Sequence, residues 1–138
     1  MTEIFGTSTF DRLFNAAISR GYSPEAAAAI GATISLENAG ADLITFKGER
    51  QKRYLKYCEK NRIDYRFPDS KIEYIFVELS TNREYNASEI KYAQTVDAAV
   101  KSFNENYLGK TLNTTELLTL IGLGNELYKI FVSNAWRQ

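Results

Sequence analysis

The sequence contains no histidine, and this absence excludes more chemistry than any other feature of the composition. Ser-His-Asp triads, zinc sites built on imidazole and acid–base catalysis by imidazole are all ruled out. An enzyme built on this chain and working near neutral pH must move its proton through Glu, Asp, Lys, Tyr or Cys. A carboxyl group is the natural candidate, because burial in an apolar cleft raises its pKa toward the working range.

Cysteine is almost as scarce as histidine. Cys58 is the only one, so the chain has no internal disulfide, and without a histidine it cannot form a Cys-His nucleophilic pair. Free cysteines are usually buried, so we predict that Cys58 is a packed core residue. We expect neither a metal site nor a cofactor.

The chain also lacks an excess of charge of either sign and a long apolar run. Lys+Arg and Asp+Glu both number 17, so no overall field favours nucleic acid or an anionic membrane surface. No apolar stretch approaches the roughly 20 residues that span a bilayer, and the first residues lack the basic region of a secretory signal. We therefore expect no nucleic-acid partner, no membrane span and synthesis in the cytoplasm.

What is present is an ordinary globular composition. The 138 residues are 44% hydrophobic and 25% charged, and a chain of this length buries roughly 68–70% of the surface that its unfolded form exposes. No internal repeat, low-complexity tract or linker divides the chain. The sequence therefore predicts one compact domain, residues 1–138, that is mostly α-helical.

The clearest helix signals lie in the first 37 residues. Apolar residues recur at helical spacing over residues 10–18, and Gly21 is placed to end that helix. Ser23 and Pro24 then supply an N-cap and a proline at the first helical position, ahead of an alanine-rich run that continues to Glu37. Because its small side chains let neighbouring helices approach closely, we predict that this second helix runs through the middle of the fold.

Further helices follow from similar patterns. A third is predicted from Glu49, with Tyr54, Leu55 and Cys58 facing inward and Arg50 on its outer side, and Asp69 is predicted to cap a fourth. Later apolar stripes predict helices after Thr95 and after the capping-box pair Asn113 and Glu116. The short β-prone run after Gly40 predicts at most a vestigial hairpin near residues 41–47.

Glu37 is the first candidate for chemistry, because it ends a nearly all-apolar helix directly before a glycine-bearing turn. Such a carboxyl group is partly buried beside a loop, which raises its pKa and lets it stay protonated and donate to a leaving oxygen. The alternative is a solvated glutamate at a helix end, and spacing alone leaves both interpretations open. Glu78 also follows an apolar run, but a structural hydrogen bond or solvent exposure fits its helix position better than catalysis.

Several segments occur in a characteristic order along the chain: Ser23–Ala32, Ile34–Gly40, Gly48–Arg50 with Tyr54–Tyr57, Ile72–Leu79, and Thr95–Ala99 with Phe103–Asn104. Together they resemble the phage tail lysozyme domains that are related to lytic transglycosylases and goose-type lysozymes. The similarity covers about residues 10–109 and leaves residues 113–138 as a C-terminal helical extension.

The resemblance implies a lysozyme-like fold in which Glu37 is the catalytic acid that protonates a β-1,4 glycosidic oxygen. A second carboxylate is not required if the acetamido group of the substrate assists. Asp42 is the nearest second carboxylate, although it can equally cap its loop. The chain departs from the family where the loop after Glu37 is short and Thr45-Phe46 replaces a glutamine-tryptophan pair; Thr45 keeps a hydroxyl and Phe46 an aromatic platform for a sugar.

Together with Asp42, Thr45 and Phe46, the family's arginine position Arg50 completes the predicted substrate-binding set; a solvated helix face is the alternative for its basic run. The implied function is a peptidoglycan-cleaving domain of a phage particle, associated with the tail, made in the host cytoplasm and acting at the bacterial cell wall. Its partners would be the glycan strand and other phage tail proteins. The second hypothesis, favoured by the short loop, is a catalytically inactive lysozyme-like protein that serves as a structural or adaptor component of a virion.

Overall fold

The structure is a computed structural model that describes residues 5–37, 46 and 48–136, and these residues are mostly helical with no strand among them. The prediction of a mostly α-helical chain is confirmed; the predicted hairpin near residues 41–47 lies outside the described residues except for Phe46. A 3₁₀ turn (Arg83–Tyr85) and a π-helical turn (Phe103–Tyr107) accompany the α-helices. The α-helices of the described part are α1 (Phe5–Ser19), α2 (Pro24–Glu37), α3 (Gly48–Asn61), α4 (Pro68–Thr81), α5 (Ala87–Lys91), α6 (Val96–Ser102) and α7 (Thr114–Trp136).

The turn from α1 to α2 is fixed by local sequence. Gly21 has φ +85°, a conformation that glycine adopts without steric cost, and it ends α1 as predicted. The N–H of Tyr22 donates to the carbonyl of Ala17 at 3.1 Å, and the N–H of Gly21 donates to Ile18 at 3.0 Å, which is the Schellman pattern. The hydroxyl of Ser23 accepts from the N–H of Ala26 at 3.1 Å, so the predicted N-cap of α2 is confirmed.

Helix α2 is the central element of the fold, as its small side chains predict. Its residues from Ala26 to Ile34 are buried, and α1, α6, α7 and the π-helical turn pack around it. The approach to α1 is so close that a Cβ added to Gly31 would lie 2.5 Å from Cδ1 of Phe10. The small side chains of α2 therefore leave room for large side chains on the helices that pack against it.

Helix α7 packs against α2 and α6. The predicted capping box is present: the N–H of Glu116 donates to Oδ1 of Asn113 at 2.8 Å, and the N–H of Asn113 donates to Oε1 of Glu116 at 3.1 Å. Further along, the hydroxyl of Tyr128 donates to Oε2 of Glu25 at 2.8 Å. The hydrogen bond between Tyr128 and Glu25 joins the C-terminal helix to the first turn of the central one.

Three details of the predicted helices are wrong. Helix α4 begins at Pro68 with Phe67 as its N-cap, so Asp69 lies in the first turn instead of capping it, because proline is favoured at the first helical position. In α3, Tyr54 and Cys58 are buried as predicted, but Leu55 is exposed and Arg50 turns inward. Residues four apart share one face of a helix, so the face that buries Tyr54 and Cys58 also carries Arg50.

Many of the tyrosines are buried, and we therefore predict that the folded chain loses stability at alkaline pH. Burial raises the pKa of Tyr22 to about 12, with Arg20 partly opposing it; burial also raises the pKa of Tyr54 and Tyr74. Because the unfolded value is about 10, the folded chain holds these protons more tightly. Their contribution to stability is therefore complete below about pH 10 and is lost as the pH rises toward the folded values.

An alkaline titration followed by tyrosinate absorbance and far-ultraviolet circular dichroism tests this prediction. We expect the native chain to ionise at higher pH than the chain in denaturant, and the helical signal to fall over the same interval. Tyrosines that titrate like those of the denatured chain while the helices stay intact would contradict it.

Candidate functional site

Glu37 is the last residue of α2, at the point where the central helix leaves the core. Ile34 is fully buried, Ser35 is partly exposed and Leu36 is 44% exposed, so the helix reaches the surface within one turn. The side chain of Glu37 lies outside the described part of the structure. The backbone therefore places Glu37 at the end of a buried helix, and the surroundings of its carboxyl group stay a prediction.

The last turn of α2 borders a cavity of about 220 Å³. Thr33 and Leu36 line it from α2, and the π-helical turn, the segment before α7 and α7 itself supply the remaining walls. A neighbouring cavity of about 270 Å³ shares Asn104 and Leu112 with it. The surface beside the end of α2 is therefore concave, and concave surfaces are where small-molecule sites form. The other residues that line the first cavity are Asn104, Lys110, Leu112, Thr115, Glu116, Thr119 and Leu120.

The π-helical turn supplies the most unusual polar group at this cavity. π-Helical turns are rare and frequently occur at functional sites. Asn104 is 1% exposed; its Nδ2 donates to the carbonyl of Val100 at 2.8 Å and to Oγ1 of Thr33 at 3.5 Å. Its Oδ1 has no hydrogen-bond partner among the described residues. A buried carbonyl without a partner is uncommon, and here it belongs to a residue that lines both cavities.

A second polar cluster joins α3, α4 and the π-helical turn; we call Arg50, Glu78 and Tyr107 the Arg50 cluster. Arg50 donates through Nε to Oε2 of Glu78 at 3.2 Å and through Nη2 to Oε1 at 2.9 Å. The hydroxyl of Tyr107 donates to the same Oε1 at 2.6 Å. Glu78 is only 5% exposed, so its carboxylate is buried and satisfied by three hydrogen bonds.

Aromatic rings surround the guanidinium of the Arg50 cluster. Cζ of Arg50 lies 4.6 Å from the ring centroid of Tyr107, 5.7 Å from that of Tyr85 and 5.8 Å from that of Phe46. These distances are within the range of cation–π attraction. Phe46 is itself buried, with its ring centroid 4.9 Å from that of Tyr54.

The pKa values of Tyr107 and Arg50 are both raised, so both of these side chains of the Arg50 cluster keep their protons. Burial raises the pKa of Tyr107 well above its usual range, and the charge of Glu78 adds to this shift while Arg50 opposes it. Burial disfavours the charged form of Arg50, but the hydrogen bond to Glu78 and the neighbouring groups outweigh it and raise the pKa of Arg50. Tyr107 is therefore a neutral hydrogen-bond donor, and Arg50 keeps its positive charge. Their hydrogen bonds to Glu78 join α3, α4 and the π-helical turn.

The predicted site residues divide into two groups. Phe46 and Arg50 are brought together by the structure, next to Glu78; Phe46 is buried and the side chain of Arg50 is 25% exposed. Asp42 and Thr45 lie outside the described residues. The substrate-binding roles of all four stay predictions, as does the catalytic role of Glu37. Glu78 makes the structural hydrogen bonds that its helix position suggested.

Neither Tyr107 nor Asn104 was predicted to have a functional role. Both lie in the π-helical turn, whose hydrogen bonds span five residues instead of the four of an α-helix, so the α-helical spacing does not hold through it. For Arg50 a signal existed, because it lies four residues before Tyr54 and eight before Cys58 on one face of α3.

The described residues contain no group of three or more Cys, Asp or Glu side chains that could hold a metal ion. Within the same part of the chain, no helix combines the length and the apolarity needed to cross a membrane.

Comparison with known proteins gives no match: no protein-family model matches the chain, and neither a curated protein nor a solved structure is significantly similar to it. The similarity to phage tail lysozyme domains therefore stays a prediction from the sequence.

Proposed function

We propose that this chain is a lysozyme-like domain that cleaves the β-1,4 glycosidic bonds of peptidoglycan, with Glu37 as the proton donor. One observation carries the proposal: the buried central helix reaches the surface at Glu37, beside a cavity whose wall includes the preceding turn of the same helix. A glutamate at such a boundary is partly removed from water, and this favours the protonated form that can act as an acid.

The reaction needs one acid if the acetamido group of the substrate sugar takes the part of a second carboxylate. Glu37 donates its proton to the glycosidic oxygen as the bond from that oxygen to the anomeric carbon breaks, and the acetamido oxygen of the same sugar bonds to that carbon. Water then displaces the acetamido oxygen and gives a proton back to Glu37. In this proposal Asp42 and Thr45 contact the sugar from the loop that follows Glu37.

A lysozyme-like arrangement of the helices belongs to the same proposal, and so does the setting of the protein. We place it in a phage particle, in or near the tail, after synthesis in the host cytoplasm. Its substrate would be the glycan strand of the bacterial cell wall. The mostly helical fold and the central position of α2 are consistent with this proposal.

The decisive experiment measures release of soluble fragments from purified sacculi by the wild type and by Glu37→Gln. We expect the variant to lose at least about 100-fold in rate, the contribution typical of a positioned acid. Glu59→Gln is the matched control, because Glu59 is exposed on α3 and its substitution removes the same charge. Thermal unfolding of all three proteins checks that they are folded. A folded Glu37→Gln variant with wild-type activity would remove Glu37 from the mechanism.

The second candidate is a catalytically inactive lysozyme-like adaptor in the virion, and the Arg50 cluster favours it. Arg50 and Phe46, two of the predicted substrate contacts, are held in that cluster. Helix α7 offers Leu118 and Ile130 as exposed apolar side chains for a partner. Wild-type protein that releases nothing from sacculi at any concentration, yet binds another tail protein through α7, would establish this function instead.

A further inference from the structure

A cavity of about 420 Å³ lies between the end of α1, the second half of α4 and α5. Its volume falls within the range of about 300–1,000 Å³ that is typical of small-molecule sites. Its wall shares no residue with the cavity beside Glu37. The lining residues are Arg20, Tyr22, Phe76, Val77, Leu79, Ser80, Ala87, Ser88, Lys91 and Tyr92.

The charge of this cavity has one sign. Arg20 and Lys91 both line it, and no aspartate or glutamate does so among the described residues. Neither cation has a carboxylate within 4.0 Å in that part of the chain. Arg20 is exposed and Lys91 is half-buried. Two like charges that border one concave surface without a counter-ion attract an anion more strongly than either charge does alone.

Aromatic rings hold both cations in position. Cζ of Arg20 lies 5.2 Å from the ring centroid of Phe76, and Nζ of Lys91 lies 5.8 Å from that of Tyr22. The rings of Phe76 and Tyr22 are themselves in edge-to-face contact, with centroids 5.3 Å apart. The two charges therefore stand over neighbouring rings of a single packed pair, and less side-chain entropy is lost when a ligand binds.

Hydrogen bonds also fix the backbone of Lys91 and the side chain of Arg20. The N–H of Ser23 donates to the carbonyl of Lys91 at 2.9 Å, which ties α5 to the start of α2. Nη1 of Arg20 donates to the carbonyl of Ala16 at 3.1 Å. Tyr92, which is 65% exposed, completes the wall, and Nζ of Lys91 lies 5.6 Å from the centroid of its ring. A flat apolar group could stack on that ring while an attached anion reaches the cations.

We propose that this cavity binds a small organic anion: a carboxylate or phosphate monoester carried on a flat ring. The anionic oxygens accept hydrogen bonds from Arg20 and Lys91, and the ring packs against Tyr92. The proposal is independent of peptidoglycan cleavage, because it uses neither Glu37 nor the cavity beside it.

Titration of ¹⁵N-labelled full-length protein with phenyl phosphate, benzoate, inorganic phosphate and neutral benzyl alcohol tests the proposal. We expect saturable shifts in the amide signals of residues 20–22, 76–80 and 87–92. Phenyl phosphate or benzoate should bind at least about tenfold more tightly than benzyl alcohol, because charge-assisted hydrogen bonds are lost with the neutral ligand. The comparison of phenyl phosphate with benzoate distinguishes a phosphate ligand from a carboxylate ligand, and inorganic phosphate shows what the ring contributes.

The variants Arg20→Gln and Lys91→Gln locate the binding. Each should weaken binding of the preferred anion by about tenfold, whereas Lys60→Gln, which removes an exposed cation of α3, should leave it unchanged. Thermal unfolding verifies that each variant is folded. Because there are two cavity variants, the proposal can still be tested if one of them does not fold. Wild-type affinity in both cavity variants, equal affinity for benzyl alcohol, or no saturable shift in the cavity would overturn the proposal.

Discussion

We expect an Arg50→Met variant to unfold with a free energy about 3 kcal/mol below that of the wild type. The substitution keeps an unbranched apolar stem but leaves the buried carboxylate of Glu78 with Tyr107 as its remaining donor. Removing one partner of a buried ion pair costs about 3–5 kcal/mol, since the other charge stays out of water. We take the lower end of this range because the side chain of Arg50 is 25% exposed, and water can enter where it stood.

Three further variants separate the parts of this effect in urea unfolding experiments. Arg50→Lys keeps the charge but loses the two-pronged hydrogen bond and the ring contacts, so its loss should be smaller than that of Arg50→Met. Tyr107→Phe removes one hydrogen bond to Glu78 and should cost about 1–3 kcal/mol. Lys52→Met is the matched control, because Lys52 is an exposed cation of the same helix and its pair with Glu49 is worth at most about 1 kcal/mol. Equal losses in Arg50→Met and Lys52→Met would show that the Arg50 cluster does not stabilise the fold.

Local signals in the sequence predicted the helix ends where a nearby residue satisfies the backbone. Ser23 caps α2, Gly21 ends α1, and Asn113 with Glu116 opens α7. Each of these helix caps is formed by residues no more than five positions apart, so the local sequence is sufficient to predict it. The error at Asp69 has the same origin: proline at position 68 competes with an acidic cap, and the proline determines where α4 begins.

The candidate site could be predicted only in part, because its contacts join distant residues. The position of Glu37 follows from the apolar run before it, which is local. Arg50 and Glu78 are 28 residues apart and Glu78 and Tyr107 are 29 apart, and no pattern in the chain pairs them. The cavity beside α2 also depends on the π-helical turn that positions Asn104, and such a turn has no simple sequence signature.

Close packing around α2 gives the other large expected effect. A Gly31→Ala substitution would place its Cβ 2.5 Å from Cδ1 and 2.7 Å from Cε1 of Phe10. The ring of Phe10 is fully buried, and its centroid is 5.7 Å from that of Phe14 and 4.9 Å from that of Phe131, so it has no free space in which to move. Overpacking of this kind costs about 1–3 kcal/mol and works against the gain of about 1 kcal/mol that alanine brings to a helix.

The glycines of α7 supply the controls for Gly31→Ala in the same urea experiment. A Cβ at Gly122 would meet no atom within 4 Å, so Gly122→Ala should stabilise the chain by about 0.5–1 kcal/mol. A Cβ at Gly124 would lie 2.7 Å from Cγ1 of Val96, so Gly124→Ala should be less stable than Gly122→Ala although the two positions share a helix. The expected order of stability is Gly122→Ala, then wild type, then Gly31→Ala. If Gly31→Ala were as stable as Gly122→Ala, α1 and α2 would not pack at the distance described.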